Sequence, residues 1–305
     1  MRPNIIKEIS YKELKAQFDH LSGYILISLF LGLLYYFFLK TFFVNGVVSM
    51  RSLFQILPWY MAVFVPAITM GSFASEVEKQ TLEYLETKPI KQMELIIGKI
   101  LGASKIIFIA ILLTIPLPIF INQIAPLDIG EIISGYLGAL VLVLALSSLG
   151  VAISTFYKNQ IAAFITSSVL ILALILINSD ITAINIPTAL ANSLAQFSIV
   201  DNYDPIIRGV INLNNIVYFI IFIVASVAIA YTNIQKIKIS RTTDLYKKTF
   251  AITIVDAFSA IALVYLSNYF GQQVGRIDLT SDKRYTLSSA TNEVLREEGK
   301  IIIEV

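Results

Sequence analysis

The sequence predicts an all-α polytopic membrane protein, and three observations predict it. Of its 305 residues, 56% are hydrophobic and 14% charged, with a mean hydropathy of +0.76, a composition outside the range of soluble domains. The apolar residues gather into blocks of about twenty, the length a helix needs to cross roughly 30 Å of hydrocarbon. Runs such as Ala139 to Leu146 and Leu170 to Ile177 are apolar on every side. They fit helices and lack the period-2 alternation of an outer-membrane barrel.

Seven stretches qualify as spans: Gly23 to Phe43, Ile56 to Phe73, Ile100 to Ile121, Ile132 to Phe156, Ile161 to Ile177, Ile216 to Ile234 and Phe250 to Phe270. The connections at Met1–Ser22, Ala74–Lys99, Tyr157–Gln160 and Gln235–Thr249 carry 14 Lys and Arg, and the alternate ones carry only Lys40, Arg51 and Arg208. The positive-inside rule then places the N-terminus in the cytoplasm and, after seven crossings, the C-terminus outside. No small-residue cleavage site follows the first span, so it reads as a retained helix. The chain divides into an amphipathic elbow at 1–22, a six-span unit at 23–235, a basic cytoplasmic linker at 236–249, a seventh membrane helix at 250–270 and a final segment at 271–305.

Each polar segment has its own expectation. Ser10-Tyr11-Lys12-Glu13 has the form of a capping box and predicts a helix start at Ser10. Beyond it, Tyr11, Leu14, Phe18 and Leu21 form one apolar stripe, against Lys12, Glu13, Lys15, Asp19 and His20. That pattern suits a helix in the membrane interface, or a short solvated one. Glu76 to Lys88 is rich in helix formers and Pro89 ends it, so a short helix, a break and a second helix from Lys91 follow. From composition alone this is a solvated helical hairpin. Small residues of the fourth span (Gly135, Gly138, Ala145, Ser147, Ser148, Gly150) and Thr166, Ser167 and Ser168 of the fifth permit close helix packing and interhelical hydrogen bonds.

In the last outer connection, Ser179 to Asn214, with Pro187 and Pro205 as breaks, the apolar-periodic stretch Ile186, Leu190, Leu194 and Phe197 predicts a short amphipathic helix. Asp201, Asp204 and Arg208 form a polar cluster there: an outer gate, or an ordinary solvated cap. Asp204 and Arg208 stand at the i,i+4 distance, with Pro205 placing Asp204 as a helix cap. Asp256 is the acidic residue deepest in a span. It either reaches the interface or a neighbouring helix, or it couples to ion movement.

Several chemistries are excluded. With 23 Lys plus Arg against 21 Asp plus Glu, no general attraction for nucleic acid exists. Cysteine is absent, which removes disulfides, thiolate metal sites and a Cys nucleophile. There is no Gly-x-x-x-x-Gly-Lys-Ser/Thr loop and no His-Glu-x-x-His, and the one histidine, His20, sits on the polar face of the elbow. No catalytic, cofactor or metal site is expected on this chain.

The elbow before span one, the loop containing Thr81-Leu82-Glu83-Tyr84-Leu85 and Pro89-Ile90, then Gly98-Lys99, and the outer Asp204-Pro-Ile-Ile-Arg208-Gly209 occur in order, the first three on the expected cytoplasmic side and the last outside. Together they resemble the ABC-2 class of ABC transporter permeases over about residues 5 to 238, closest to the permease of bacterial gliding motility. The resemblance implies a six-helix permease in the inner membrane, a homo- or heterodimer in contact with lipid, working with a separate ABC ATPase subunit. ATP and Mg2+ would bind that partner. It also implies a coupling helix whose ATPase contacts are Glu76, Thr81, Leu82, Glu83 and Leu85.

The string Arg276-Ile277-Asp278-Leu279-Thr280-Ser281-Asp282-Lys283-Arg284-Tyr285-Thr286-Leu287-Ser288 is similar to the segment after the first membrane helix of the gliding-motility auxiliary protein. Its marker residues are Arg276, Asp278, Leu279, Thr280, Lys283, Arg284 and Tyr285. Ser288 or Ser289 can cap a following helix, and Ile301 to Val305 begins a strand. The chain then reads as a permease fused to the truncated start of an extracytoplasmic α/β auxiliary domain. A structural anchor of an envelope assembly is the alternative. A proton-driven transporter using Asp256 lacks the inverted repeat and broken helices such carriers show.

Overall fold

Helix α1 (Pro3–Phe18) opens on a proline in its first turn, where the missing N–H costs no helical bond. The computed structural model describes residues 2–46, 48–81, 89–177, 196–238, 276–281 and 283–286, with positions 251–253, 255, 259, 262 and 263 of the last helical stretch. Leu21–Asn45 forms α2, which ends where Gly46 takes a left-handed turn at φ 61°. Helix α3 (Arg51–Thr69) runs on into α4 (Gly71–Glu78), and α5 (Gln92–Leu112) into α6 (Pro116–Ile124). Then come α7 (Ile129–Ser154), α8 (Gln160–Leu176), α9 (Ile199–Ile207), strand β1 (Val210–Asn212), α10 (Leu213–Lys238) and strand β2 (Arg276–Asp278).

Five stretches are long and apolar enough to cross a bilayer: Leu21–Val44, Arg51–Glu78, Gln92–Ile124, Ile129–Ser154 and Leu213–Ile237. The fifth expected span corresponds to α8, which is apolar but only 17 residues long, about 25 Å at the helical rise. The chain is a multi-pass helical membrane protein. Most of the expected seventh span, Asp256 included, lies outside the described residues.

The core forms around α7 because its small residues let neighbours in. A Cβ at Gly135 would stand 2.2 Å from the Phe54 ring, one at Gly138 2.9 Å from Ile206 and one at Gly150 2.2 Å from Thr69 Oγ1. Phe30, Leu34 and Phe38 form the buried stripe of α2, while the rest of that helix is largely exposed, as a lipid-facing helix is. Thr166 donates to Tyr157 at 3.0 Å, and the hydroxyls of Ser167 and Ser168 are buried without a hydrogen-bond partner among the described residues. Among the described residues the fifth-span hydroxyls therefore supply packing volume and no interhelical bond.

The expected start of the elbow is corrected. Ser10 lies in the middle of α1, fully buried, and Glu13 reaches across to α5 instead of capping. Tyr11 and Leu21 of the apolar stripe are 63% and 72% exposed and stand outside the protein core. The docking face is Ile6, Ile9, Ser10 and Glu13, because α5 presents glycines there: a Cβ at Gly98 would meet Ile9 at 2.7 Å and one at Gly102 would meet Glu13 at 2.5 Å. Tertiary packing outweighs the local capping signal.

Candidate functional site

Lys99, one residue inside this glycine pair, is 2% exposed, and its ammonium is fully used. It donates to Glu13 Oε1 at 2.8 Å, Glu76 Oε1 at 2.7 Å and the Ser72 carbonyl at 2.7 Å, and stands 5.0 Å from the centre of the Phe73 ring. Three donors from α5 meet three acceptors, one on α1 and two on α4. Beside it, a second apolar cluster of Phe73, Leu95, Ile96, Ile100, Val151, Ala152, Ala230 and Ile234 excludes water. The elbow, the end of span two and the start of span three are thus joined at one buried cation.

A second tie lies at the other end of the same connection. Arg2 bonds Glu94 through its backbone N–H at 2.8 Å and its guanidinium at 3.1 Å, and also donates to the Pro89 carbonyl. Glu94 accepts the Lys91 N–H at 3.1 Å as well, closing the first turn of α5. Residues 79–90 are therefore held at both flanks by the elbow, through Glu13 of α1 and through Arg2 just before it.

Glu76 stands in this clamp as a half-buried ion-pair partner, its side chain 17% exposed. The helix expected from Glu76 through Lys88 is interrupted early: α4 starts at Gly71 and stops at Glu78, Gln80 adopts a left-handed φ of 54°, and residues 82–88 lie outside the described residues. A break with that geometry turns the chain sharply. Thr81 is exposed, its hydroxyl 3.4 Å from the Glu76 carbonyl. Leu82, Glu83 and Leu85 lie outside the described residues.

At the opposite end of the bundle, Ser198 caps α9 by accepting the Asp201 N–H at 3.2 Å. Asp204 is inside that helix, which corrects its expected place as a cap, and it pairs with Arg208 one turn on. Arg51, at the start of α3, joins them 3.4 Å from Asp204. Asp201 lies exposed on the same helix. Asp201, Asp204, Pro205, Arg208, Val210, Asn212 and Tyr285 line a cavity of about 370 Å3. Of the expected amphipathic stretch only Phe197 is described. Its carbonyl accepts from Tyr218 at 3.0 Å.

The tail motif reaches this end too. Strand β2 pairs antiparallel with β1, Val210 opposite Asp278, Ile211 opposite Ile277 and Asn212 opposite Arg276. Asp278 then closes a turn, accepting from the Thr280 N–H at 3.0 Å and hydroxyl at 2.6 Å, the Tyr285 N–H at 2.9 Å and the Thr286 hydroxyl at 2.8 Å. Lys283 takes a left-handed φ of 50° in this turn, and the Arg284 N–H donates to Thr280 Oγ1 at 3.0 Å. Leu279 donates to the Gly209 carbonyl at 2.8 Å.

These bonds, that of Thr280 first, hold the Asp278 carboxyl down at about 2. Its unfolded value is near 3.9, so the turn's stabilisation is complete above about pH 4 and is lost as pH falls through about 2. Fluorescence anisotropy of a probe on a Lys283→Cys chain is expected to stay level from pH 7 to about 4 and fall below it. An Asp278→Asn chain is expected to show the low value already at neutral pH.

A bundle of apolar spanning helices, with a charged clamp under a loop at one end and a polar cap at the other, is the build of a membrane permease. The model for ABC-2 family transporter proteins matches residues 7–239, and the chain belongs to that family. No curated protein matches it. Permeases of this family partner with an ABC ATPase.

The sequence reading missed Glu13 and Lys99 as a pair, Arg51 and Asp128. Gly98-x-x-x-Gly102 around Lys99 was the legible sign of a close helix contact, and Asp128 followed by Glu131 that of a helix start.

Proposed function

We propose that this chain is the membrane subunit of an ATP-driven transporter in a bacterial cytoplasmic membrane, its residues 76–85 docking on a separate ATPase subunit. One observation carries the reading: both flanks of that loop are tied to α1, by Glu13–Lys99–Glu76 and by Arg2–Glu94. A push on the loop then moves α1, α4 and α5 as one piece, because a buried ion network resists partial opening. In this reading the N-terminus is cytoplasmic, ATP and Mg2+ stay on the partner, and two permease chains form the pathway. Lys238 and Arg276 lie at opposite ends of the bundle, which supports a C-terminus on the outer side.

The likeness of residues 276–288 to the auxiliary protein supports gliding motility as the setting, with permease and auxiliary joined in one chain. A pure anchoring role is favoured by one observation, the pairing of β1 with β2, which ties the tail to the bundle.

Copurification with the ATPase encoded beside it separates the two. Reconstituted with that subunit, the chain is expected to stimulate ATP hydrolysis, and Glu83→Lys with Thr81→Ala to abolish the stimulation while the isolated subunit keeps its basal rate. An ATPase that never copurifies, or a rate indifferent to these substitutions, removes the coupling reading and leaves the anchor.

A further inference from the structure

The contact between the tail and the far end of the bundle has the construction of a fitted receptor. Two glycines make room for it. A Cβ on Gly130 would stand 1.8 Å from the Leu279 carbonyl oxygen, and one on Gly209 would stand 2.7 Å from Thr280 Cγ2. Gly209 also holds a φ of 91°, which side-chain-bearing residues rarely adopt. Thr280 is buried against it, 6% exposed.

Asp128 does two jobs at once. Its Oδ1 caps α7 by accepting the Gly130 N–H at 2.9 Å and the Glu131 N–H at 3.3 Å. The same carboxylate accepts the Ser281 N–H at 3.2 Å and the Ser281 hydroxyl at 2.9 Å. Burial works against its ionisation, and the bonds from Ser281, Glu131 and Gly130 together outweigh that and hold the group below the ordinary Asp range. An ordinary cap needs only the first pair of bonds. On the other side, β1 is a three-residue strand whose partner is β2. A strand edge, a carboxylate and two cleared backbone positions together read an extended Ile-Asp-Leu-Thr-Ser segment by backbone pairing plus side-chain bonds, the logic of β-augmentation.

We propose that Gly209–Asn212 with Asp128–Gly130 is a docking site for the chain's own segment Arg276–Thr286, and that the docked segment is a strap locking α9 against the start of α7. The strap enters by β1, directly after α9, and is held at Asp128, directly before α7. Any load on the residues that follow 286 reaches the Asp201–Asp204–Arg208 helix through this strap. Tyr285 of the strap completes the wall of the polar cavity beside that helix, so release of the strap opens it. The proposal adds to the permease reading an intramolecular control element and does not need the ATPase.

The absence of native cysteine makes the test clean. In the full chain in membranes, Ile211→Cys with Ile277→Cys is expected to form a disulfide on mild oxidation, because the two face each other in register. Ile211→Cys with Lys283→Cys is the non-facing control and is expected to stay reduced. Gly130→Ala, neutral or better for the helix itself, is expected to lower the yield of the facing pair by roughly tenfold or more, the scale set by losing one or two hydrogen bonds. It is also expected to speed maleimide labelling of a single Val210→Cys by a similar factor, since Val210 lines that cavity and is 2% exposed with the strap in place.

Mixing a tagged Ile211→Cys chain with an Ile277→Cys chain checks the occupant. A disulfide that forms only between copies overturns the assignment in cis and makes the site an exchange contact between two chains. No facing disulfide, or a labelling rate indifferent to Gly130→Ala, overturns the strap. ATPase stimulation can survive either result, so failure here is distinct from failure of the transport reading.

Discussion

Replacing Lys99 by Met lowers the stability of the solubilised chain by about 3–5 kcal/mol, the cost of removing one partner from a buried ion network. Lys99 Nζ satisfies Glu13, Glu76 Oε1 and the Ser72 carbonyl together, and the Glu76 Oε2 atom is buried with no hydrogen-bond partner among the described residues. Without the ammonium, two carboxylates of like charge face each other across an apolar pocket. The loss should be larger than for an exposed pair, whose ions solvent would screen for about 0–1 kcal/mol.

Thermal unfolding measures it, as a fall in Tm. Lys99→Met combined with Glu13→Gln and Glu76→Gln should recover most of the loss, because no charge is then left buried. Coupling should not return with stability in the triple variant, since neutral side chains of that length hold α1, α4 and α5 together far less firmly. A Lys99→Met chain that melts with the parent would sink the clamp as a structural joint.

That joint was the least legible feature of the sequence, for a physical reason. Run length alone revealed the five long spanning stretches, because a helix in hydrocarbon must satisfy its backbone internally and show lipid its apolar surface. Asp204 and Arg208 were legible as a pair because the helix itself brings i and i+4 together. Lys99 meets Glu13 across 86 positions and Glu76 across 23, and Arg51 meets Asp204 across 153. No local period carries such distances. Ser10 and Glu13 misled because a capping box is a local preference of order one kcal/mol, while docking α1 on the Gly98–Gly102 face buries a whole helix side. Asp128 was half legible: its place before Ile129 marks a helix start, but its second partner, Ser281, belongs to another part of the chain.

The glycine of α7 that faces α3 carries the other large effect. Gly150→Ala is expected to cost about 1–3 kcal/mol, the usual penalty for overpacking a tight core. The new methyl group would stand 2.2 Å from Thr69 Oγ1 and 3.0 Å from Thr69 Cβ. Thr69 cannot turn away cheaply: it is fully buried, β-branched and bonded to the Val65 carbonyl at 2.9 Å. The helices must separate instead, and the contact lies next to the α3–α4 junction that leads to Glu76. Thermal unfolding should show the loss, and Thr69→Ala in the same chain should return part of it by removing the atom that clashes first. Because the displaced helix carries the clamp, ATPase stimulation should fall with the Tm and recover with it. Equal stability of Gly150→Ala and the parent chain would mean that α3 and α7 do not approach as closely as their backbones stand here.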